Sequence, residues 1–304
     1  MKKITKAVIP CGGMGTRFLP ITKAVPKEIL PIIDTPVLAY IVDEAIESGI
    51  TDIMIVLGQG KDSIRNYFTP NPKLEDALLL AGKKEELELV KRITNRANIV
   101  FATQAEPKGS GDAVMYAKSF TGSEAFCLAW GDDLIYNPKN PIMGQLTATH
   151  KKTGGTILGV QYWSGNDITK YGVADVDTSS VIARSVATKQ SHGEKNRLYK
   201  CAGIIEKPPL AKVPPSRLAA LGRYILTPDV YTTLQKTPVS GRELGLTDAL
   251  NIMAKDGNVY AYDFEGTRYD MGDKLGSLKA AVEFGLRSEE YGEEFREYLK
   301  QVKQ

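Results

Sequence analysis

Cysteine is scarce in this chain: Cys11, Cys127 and Cys201 are the three among 304 residues. They are odd in number, far apart and never arranged as Cys-x-x-Cys, which argues against a disulfide framework or a zinc knuckle. Cys127 and Cys201 fall in apolar runs, where a buried free thiol is expected. Histidine is scarcer still. His150 and His192 match no catalytic pattern and read as surface residues. No run of about eighteen apolar residues occurs, so no transmembrane helix and no membrane partner are expected. The stretch from Met1 to Pro10 has lysines but neither a long apolar core nor a small-residue cleavage site, and it reads as a first strand rather than a signal peptide. A large charge excess is also missing. Lys and Arg number 39 against 36 Asp and Glu, a net charge of +3 that calls for no nucleic-acid partner. A cytoplasmic location is the resulting expectation.

What is present is the composition of an ordinary globular enzyme, 42% hydrophobic and 25% charged, long enough to bury a sizeable core. Ile4 to Pro10 is a short apolar segment that stops at Cys11-Gly12-Gly13-Met14-Gly15, a strand followed by a glycine-rich turn. Pro36 to Ser48 carries Val37, Leu38, Ile41, Ala45 and Ile46 at helical spacing and closes on Gly49. Asp52 to Gly58 is a buried strand, so the first sixty residues form a βαβ unit with a long crossover. Helices are expected over 61–68 and 75–96, a strand over 99–103, a helix over 111–120 and a strand over 125–130 that runs into Gly131-Asp132-Asp133. A helix over 141–153 and a strand over 156–162 continue the alternation, which means a parallel or mostly parallel sheet. Beyond about residue 165 short strand-like runs take over, at 172–176, 181–188 and 202–205. Helical patterns return at 227–235, 247–254 and along the charged tail from Lys274. No repeat or linker divides the chain. The expectation is a single domain over 1–304, with an α/β half to about 165 and a β-rich half after it.

The strongest motif is Gly12-Gly13-Met14-Gly15-Thr16-Arg17-Phe18-Leu19-Pro20, followed by Thr22-Lys23, Pro26-Lys27-Glu28 and Leu30-Pro31-Ile32. Glycines directly after a strand let backbone N–H groups approach a polyphosphate without interference from Cβ atoms. Arg17, Lys23 and Lys27 add positive charge to the same loop. The spacing is neither that of a P-loop, since no Gly-Lys-Ser/Thr closes it, nor that of a dinucleotide fingerprint. A glycine turn alone could be purely structural; three cations and two prolines at these spacings argue for a phosphate site. Arg17 and Lys27 are the residues expected to clamp a triphosphate. Asp132 and Asp133 end an apolar strand, where ligands collect in open α/β sheets. A carboxylate there suits Mg²⁺ bridging substrate phosphates.

The loop resembles the signature of bacterial UTP–glucose-1-phosphate uridylyltransferases, within a nucleotidyltransferase group that also includes glucose-1-phosphate thymidylyltransferases. Pro26-Lys27-Glu28 with Leu30-Pro31 is similar to the uridylyl branch. Further markers follow in family order: Gln104, Gly109-Ser110-Gly111, Gly131-Asp132-Asp133, Tyr171-Gly172-Val173, Glu206-Lys207-Pro208, Gly222-Arg223-Tyr224, Leu246-Thr247-Asp248-Ala249 and Asp270-Met271-Gly272-Asp273-Lys274. The resemblance covers nearly the whole chain. It implies a Rossmann-like three-layer α/β sandwich with a mixed, mostly parallel sheet. It implies UTP and glucose 1-phosphate as substrates and a homo-oligomer, dimer or tetramer.

The same resemblance implies site roles. Gly12, Gly13, Gly15, Thr16, Glu28, Gln104 and Gly109 hold the nucleotide, with Gln104 and the glycine turn after it reading uracil. Asp132 and Asp270 hold Mg²⁺. Gly172 and Glu206 meet the sugar, and Lys207 its phosphate. Two positions depart from the family pattern: Asp112 stands where a histidine is usual, and Cys11-Gly12 where alanines are usual. A phosphate oxygen of glucose 1-phosphate is already ionised near neutral pH, so in-line attack on the α-phosphorus of UTP needs no general base and no covalent intermediate. The alternatives are dTTP or another sugar 1-phosphate as substrate, or a silent sugar-nucleotide-binding regulator. Retention of Arg17, Lys27, Asp132, Lys207 and Asp270 argues against silence.

Overall fold

The computed structural model describes residues 2–176 and 197–302. Strand β1 (Lys6–Cys11) is an apolar run buried on both faces, as a central parallel strand must be. The crossover that follows contains three successive 3₁₀ turns, Thr16–Phe18, Ile21–Lys23 and Lys27–Ile29. A ribbon of β2 (Pro31–Ile32) and β3 (Thr35–Pro36) leads into helix α1 (Val37–Glu47). Helix α1 buries Val37, Leu38, Ile41, Val42 and Ala45, one stripe at helical spacing. The chain then enters β4 (Asp52–Leu57), parallel to β1. Helices α2 (Asp62–Phe68), α3 (Pro72–Leu80) and α4 (Lys84–Thr94) precede β5 (Asn98–Thr103). One helix over 75–96 was the expectation. Two are observed, because Gly82 takes φ +69° and Lys83 N–H closes back on the Leu78 carbonyl.

Next come α5 (Ser110–Met115), α6 (Lys118–Thr121), β6 (Phe126–Ala129), β7 (Asp133–Tyr136), α7 (Ile142–Thr153) and β8 (Thr156–Tyr162). The later part holds β9 (Gly172–Val176), β10 (Leu198–Glu206), β11 (Leu218–Leu226), α8 (Asp229–Lys236), α9 (Leu246–Lys255), β12 (Val259–Asp263) and β13 (Thr267–Asp270). It ends in α10 (Lys274–Arg287) and α11 (Gly292–Gln301). The strand expected over 181–188 and His192 lie outside the described residues.

The main sheet has the order β5-β4-β1-β6-β11-β8-β12-β10-β9. Parallel pairing joins β5, β4, β1 and β6, and separately β8 with β12. The other pairings in this sheet are antiparallel. A mostly parallel sheet is therefore found on one side only, and the whole is mixed. The cause is β11, a central strand that the sequence pattern did not disclose because Gly222 and Arg223 interrupt its apolar run. From β1 the chain goes one way to β4 and β5 and returns on the other side to β6. This reversal opens a crevice at the carboxyl ends of β1 and β6.

Each face of the sheet carries its own core. Ala7, Ile9, Ile53 and Ile55 pack toward α1 and α7, whereas Val8, Met54 and Val56 pack toward α5, α8 and α9. His150, expected at the surface, is buried on α7 with Nδ1 donating to the Gly155 carbonyl at 2.7 Å. The three cysteines are free and buried, and burial pushes the Cys127 and Cys201 thiols up to about 12. Among the described residues no helix is long and apolar enough to cross a membrane.

Candidate active site

The glycine loop leaves β1 at the crevice. A Cβ at Gly12 would stand 2.9 Å from Gln104 Oε1, so a side chain there would have to displace that carboxamide. Gly13 lies against Lys27, Gly15 begins the first 3₁₀ turn at φ +68°, and the Thr22 hydroxyl donates to the Gly15 carbonyl at 2.8 Å. Thr16 and Arg17 follow, exposed on the loop. Lys27 is half-buried, and its ammonium donates to Asp132 Oδ2. Burial opposes that positive charge, but Asp132 outweighs it and holds the lysine above its ordinary range. Glu28, expected to hold the nucleotide, packs inward from the same loop. It is buried, and both its oxygens accept from Lys61, at 2.7 and 2.8 Å. Burial pushes its carboxyl up, against the pull of Lys61. The geometry makes it a buried brace between the loop and α2.

Gln104 ends β5 and is 4% exposed. Its amide Nε2 donates to Asp112 Oδ2 at 2.6 Å, and Gly109 begins the next turn beside it. Gly12, Gln104 and Asp132 thus follow β1, β5 and β6, on one edge of the parallel part of the sheet.

Asp270 reaches that edge by a route the sequence did not suggest. The main-sheet strand β12 is separated from β6 by β8 and β11, so it cannot deliver Asp270 there. Instead β13 pairs antiparallel with β7 in a separate two-stranded ribbon, setting Asp270 opposite Asp133. The Met271 N–H then donates to the Asp132 carbonyl at 3.0 Å. Gly272 marks the result. A Cβ added to it would stand 2.6 Å from Arg17 Nη2, 2.7 Å from Asp132 Oδ2 and 3.2 Å from Asp270 Oδ1. Two carboxylates and a guanidinium therefore converge on one point. Among the described residues no group of three or more His, Cys, Asp or Glu side chains could hold a metal unaided.

Asp133 does not face this point. Its carboxylate accepts from Arg268 Nε at 2.6 Å and Nη2 at 3.0 Å. Burial pushes Asp133 up while Arg268 pulls it down. Arg268 also lies over the Tyr171 ring, donates to its hydroxyl at 3.1 Å and sits 3.6 Å from Asp270 Oδ2. Beneath them Arg223 is fully buried. It binds both Glu44 oxygens and donates to the Asp133 carbonyl at 2.8 Å. This ties α1 and β11 to the backbone that carries Asp132.

On the antiparallel side a cavity of about 600 Å³ opens, lined by Tyr171, Gly172, Glu206, Lys207, Gly222 and Thr247 among others. Glu206 accepts from the Thr247 hydroxyl at 2.7 Å and lies 3.2 Å from the Lys207 ammonium. Lys207 turns the chain at φ +42°, a left-handed conformation uncommon for residues with a Cβ.

The family profile described as nucleotidyl transferase matches residues 6–285. A UTP–glucose-1-phosphate uridylyltransferase of Bacillus subtilis is 43% identical over 291 residues, 95% of this chain and 94% of its own. One of Staphylococcus epidermidis is 42% identical over 303 residues, 99% of each chain. The chain belongs to the nucleotidyl transferase family, among the UTP–glucose-1-phosphate uridylyltransferases. Solved structures agree. The UTP-bound UGPase of Acinetobacter baumannii superposes with a TM-score of 0.86 at 33% identity, covering 99% of this chain and 100% of that one. A UDP-glucose pyrophosphorylase complexed with UDP-glucose gives 0.78 at 32% identity, covering 94% of this chain and 100% of that one.

Against this family frame, sequence reasoning missed Lys61, Arg268 and Gly272 as parts of the site. Lys61 and Arg268 sit in stretches with no motif, and only their ion pairs disclose them. Gly272 was visible inside Asp270-Met271-Gly272, but the crowding that requires glycine there is a tertiary fact.

Proposed function

We propose that this chain transfers the uridylyl group of UTP to glucose 1-phosphate, forming UDP-glucose and releasing pyrophosphate. The observation that carries the proposal is the convergence of Arg17, Asp132 and Asp270 on Gly272. The cavity that holds Lys207 is lined by Asp133, the sequence neighbour of Asp132.

In this reading the glycine loop approaches the triphosphate with its backbone, and Arg17 and Lys27 neutralise it. Lys207 receives the phosphate of the sugar. Glu206, held by Thr247, and the open backbone at Gly172 meet sugar hydroxyls. Gln104 faces the base. A phosphate monoester oxygen is ionised at neutral pH, so the chain has to supply position and positive charge rather than a general base. Phosphoanhydride replaces phosphoanhydride, so the reaction runs readily in both directions.

Asp132 and Asp270 offer hard oxygen donors and fit a divalent cation, Mg²⁺, that takes its remaining ligands from phosphates and water. Such an ion supplies charge neutralisation to the α-phosphate when bound. The paired carboxylates support this, since they add hard oxygen donors at a point where Arg17, Lys27 and Arg268 supply the protein's positive charge. We read the fold as a Rossmann-like three-layer sandwich working as one domain, a reading supported by strands of both halves sharing the main sheet. A homo-oligomer, dimer or tetramer, belongs to the same proposal and is read by light scattering.

The test is pyrophosphate release over a grid of nucleoside triphosphates and sugar 1-phosphates, with and without EDTA. UTP is expected to exceed ATP and CTP by at least about tenfold in kcat/KM, about 1.4 kcal/mol. Discrimination against dTTP is expected to be weaker, because a methyl group and one hydroxyl are the differences. Equal turnover of UTP and ATP, or full activity in EDTA, would overturn the respective part.

A further inference from the structure

We infer that Asp112 sets base choice by locking the orientation of the Gln104 carboxamide, so that only its oxygen faces the nucleotide. The inference rests on the reading of Gln104 as the group that meets the base.

A carboxamide is ambiguous. Rotated by half a turn, it exchanges an acceptor for a donor with little change in shape. A free glutamine in a pocket could therefore satisfy uracil or cytosine at the ring-nitrogen position. Uracil presents an N3–H donor there, and cytosine presents an N3 lone pair. Discrimination needs something that forbids the rotation.

Asp112 does so. A carboxylate only accepts hydrogen bonds, and Asp112 Oδ2 lies 2.6 Å from Gln104 Nε2. The Gly109 carbonyl, also acceptor-only, lies 3.5 Å from the same nitrogen. Turning the amide would set Oε1 against both oxygens. Oε1 is thereby directed at Gly12 of the phosphate loop, 2.9 Å from where a Cβ would stand. Among the described residues Oε1 accepts no hydrogen bond, and none of their buried side-chain oxygens lacks a partner, so Oε1 opens onto the pocket although the residue as a whole is buried. An acceptor open to the pocket and free of protein donors is matched by a donor on the ligand. An imide N–H, as in uracil or thymine, supplies one.

The backbone keeps both partners in place. The Gln104 N–H donates to the Leu57 carbonyl at 2.8 Å, anchoring the end of β5. Gly111 N–H donates to the Leu244 carbonyl at 2.8 Å, anchoring the turn that carries Asp112. Asp112 does not need to touch the nucleotide. It is a positioning residue.

The experiment compares kcat/KM for UTP and CTP in the parent, Asp112→Ala, Asp112→Asn and Gln104→Ala. Asp112→Ala is expected to lower the UTP-to-CTP ratio by about tenfold or more, about 1.4 kcal/mol. Asp112→Asn keeps an accepting carbonyl and is expected to hold the ratio within about threefold of the parent. A merely structural role for Asp112 would lower both substrates together and leave the ratio unmoved. A ratio within twofold of the parent in Asp112→Ala therefore overturns the inference. Gln104→Ala separates the two layers. A collapsed ratio there with an unmoved ratio in Asp112→Ala sinks the Asp112 inference alone; a parental ratio in Gln104→Ala sinks the base-reading role itself. Should a variant turn over too slowly, equilibrium binding of UTP and CTP reads the same ratio without catalysis.

Discussion

Over the parallel strands the key cation, Lys27, is half-buried and bonded across the crevice to Asp132. Over the antiparallel strands its counterpart, Lys207, keeps 65% of its side chain exposed and pairs with its sequence neighbour Glu206 at 3.2 Å. One end of the candidate site is held by a contact between residues distant in sequence, and the other opens into a cavity of about 600 Å³. The difference follows from the strands. Parallel strands discharge all their carboxyl ends on one edge, so side chains distant in sequence crowd together there. Antiparallel neighbours alternate direction and leave width between ends of the same kind. In the proposed reaction the end held by long-range contacts would meet phosphate charge at once, and the more open end would receive the second substrate.

Arg223 underlies both ends, and its removal is the most damaging change. Arg223→Ala leaves the Glu44 carboxylate buried and unpaired, for a loss of about 3–5 kcal/mol in a denaturant titration. A loss under about 1 kcal/mol would show that the two regions do not share this foundation. Asp132→Asn and Asp270→Asn come next. Each is expected to lower turnover about 10²- to 10³-fold, with the thermal midpoint near parental for Asp270→Asn and lowered for Asp132→Asn, which leaves Lys27 without its carboxylate partner. Assays over a range of Mg²⁺ concentrations check this, and activity that stays parental in either variant breaks the proposed convergence. Lys27→Ala is expected to lose about 10²-fold in kcat, because its charge is already in place before substrate arrives. Lys207→Ala is expected to lose about tenfold or more, with a marked rise in KM for glucose 1-phosphate. If the two lysines gave the same division between kcat and KM, the contrast between a preorganised and an open end would fail. Thr247→Val removes the hydroxyl that holds Glu206, and about a threefold rise in sugar KM is expected, about 0.65 kcal/mol.

Much of the parallel side was legible in advance. The short apolar segment at 4–10 that stops at the glycine turn, and the apolar run inside 52–58 that closes on Gly58, belong to strands buried on both faces. The stripe on α1 and its stop at Gly49 followed from spacing alone. The antiparallel side was less legible. Strand β11 carries Gly222 and the fully buried Arg223 in its middle, and a strand with a charge inside it has no hydrophobic signature. The small β7–β13 ribbon was invisible for a related reason: Asp133, Arg268 and Asp270 are polar residues that pair with each other rather than with water. His150 was misjudged because a short-range bond to the Gly155 carbonyl satisfies its ring nitrogen inside the protein.

The sequence by itself determined the chemistry on offer: a glycine loop with Arg17 and Lys27, acids at strand ends, and an amide beside a glycine turn. Those are local properties, since residue type and spacing decide what a loop can bind. Only the tertiary structure decided which of these groups meet. Asp270 joins Asp132 through a ribbon separate from the main sheet, Glu28 turns inward to Lys61, and Asp112 takes hold of Gln104. Hydrogen bonds and ion pairs between residues far apart in the chain have no periodicity to announce them. They form where the packing of both faces of the sheet brings acceptors within reach of donors.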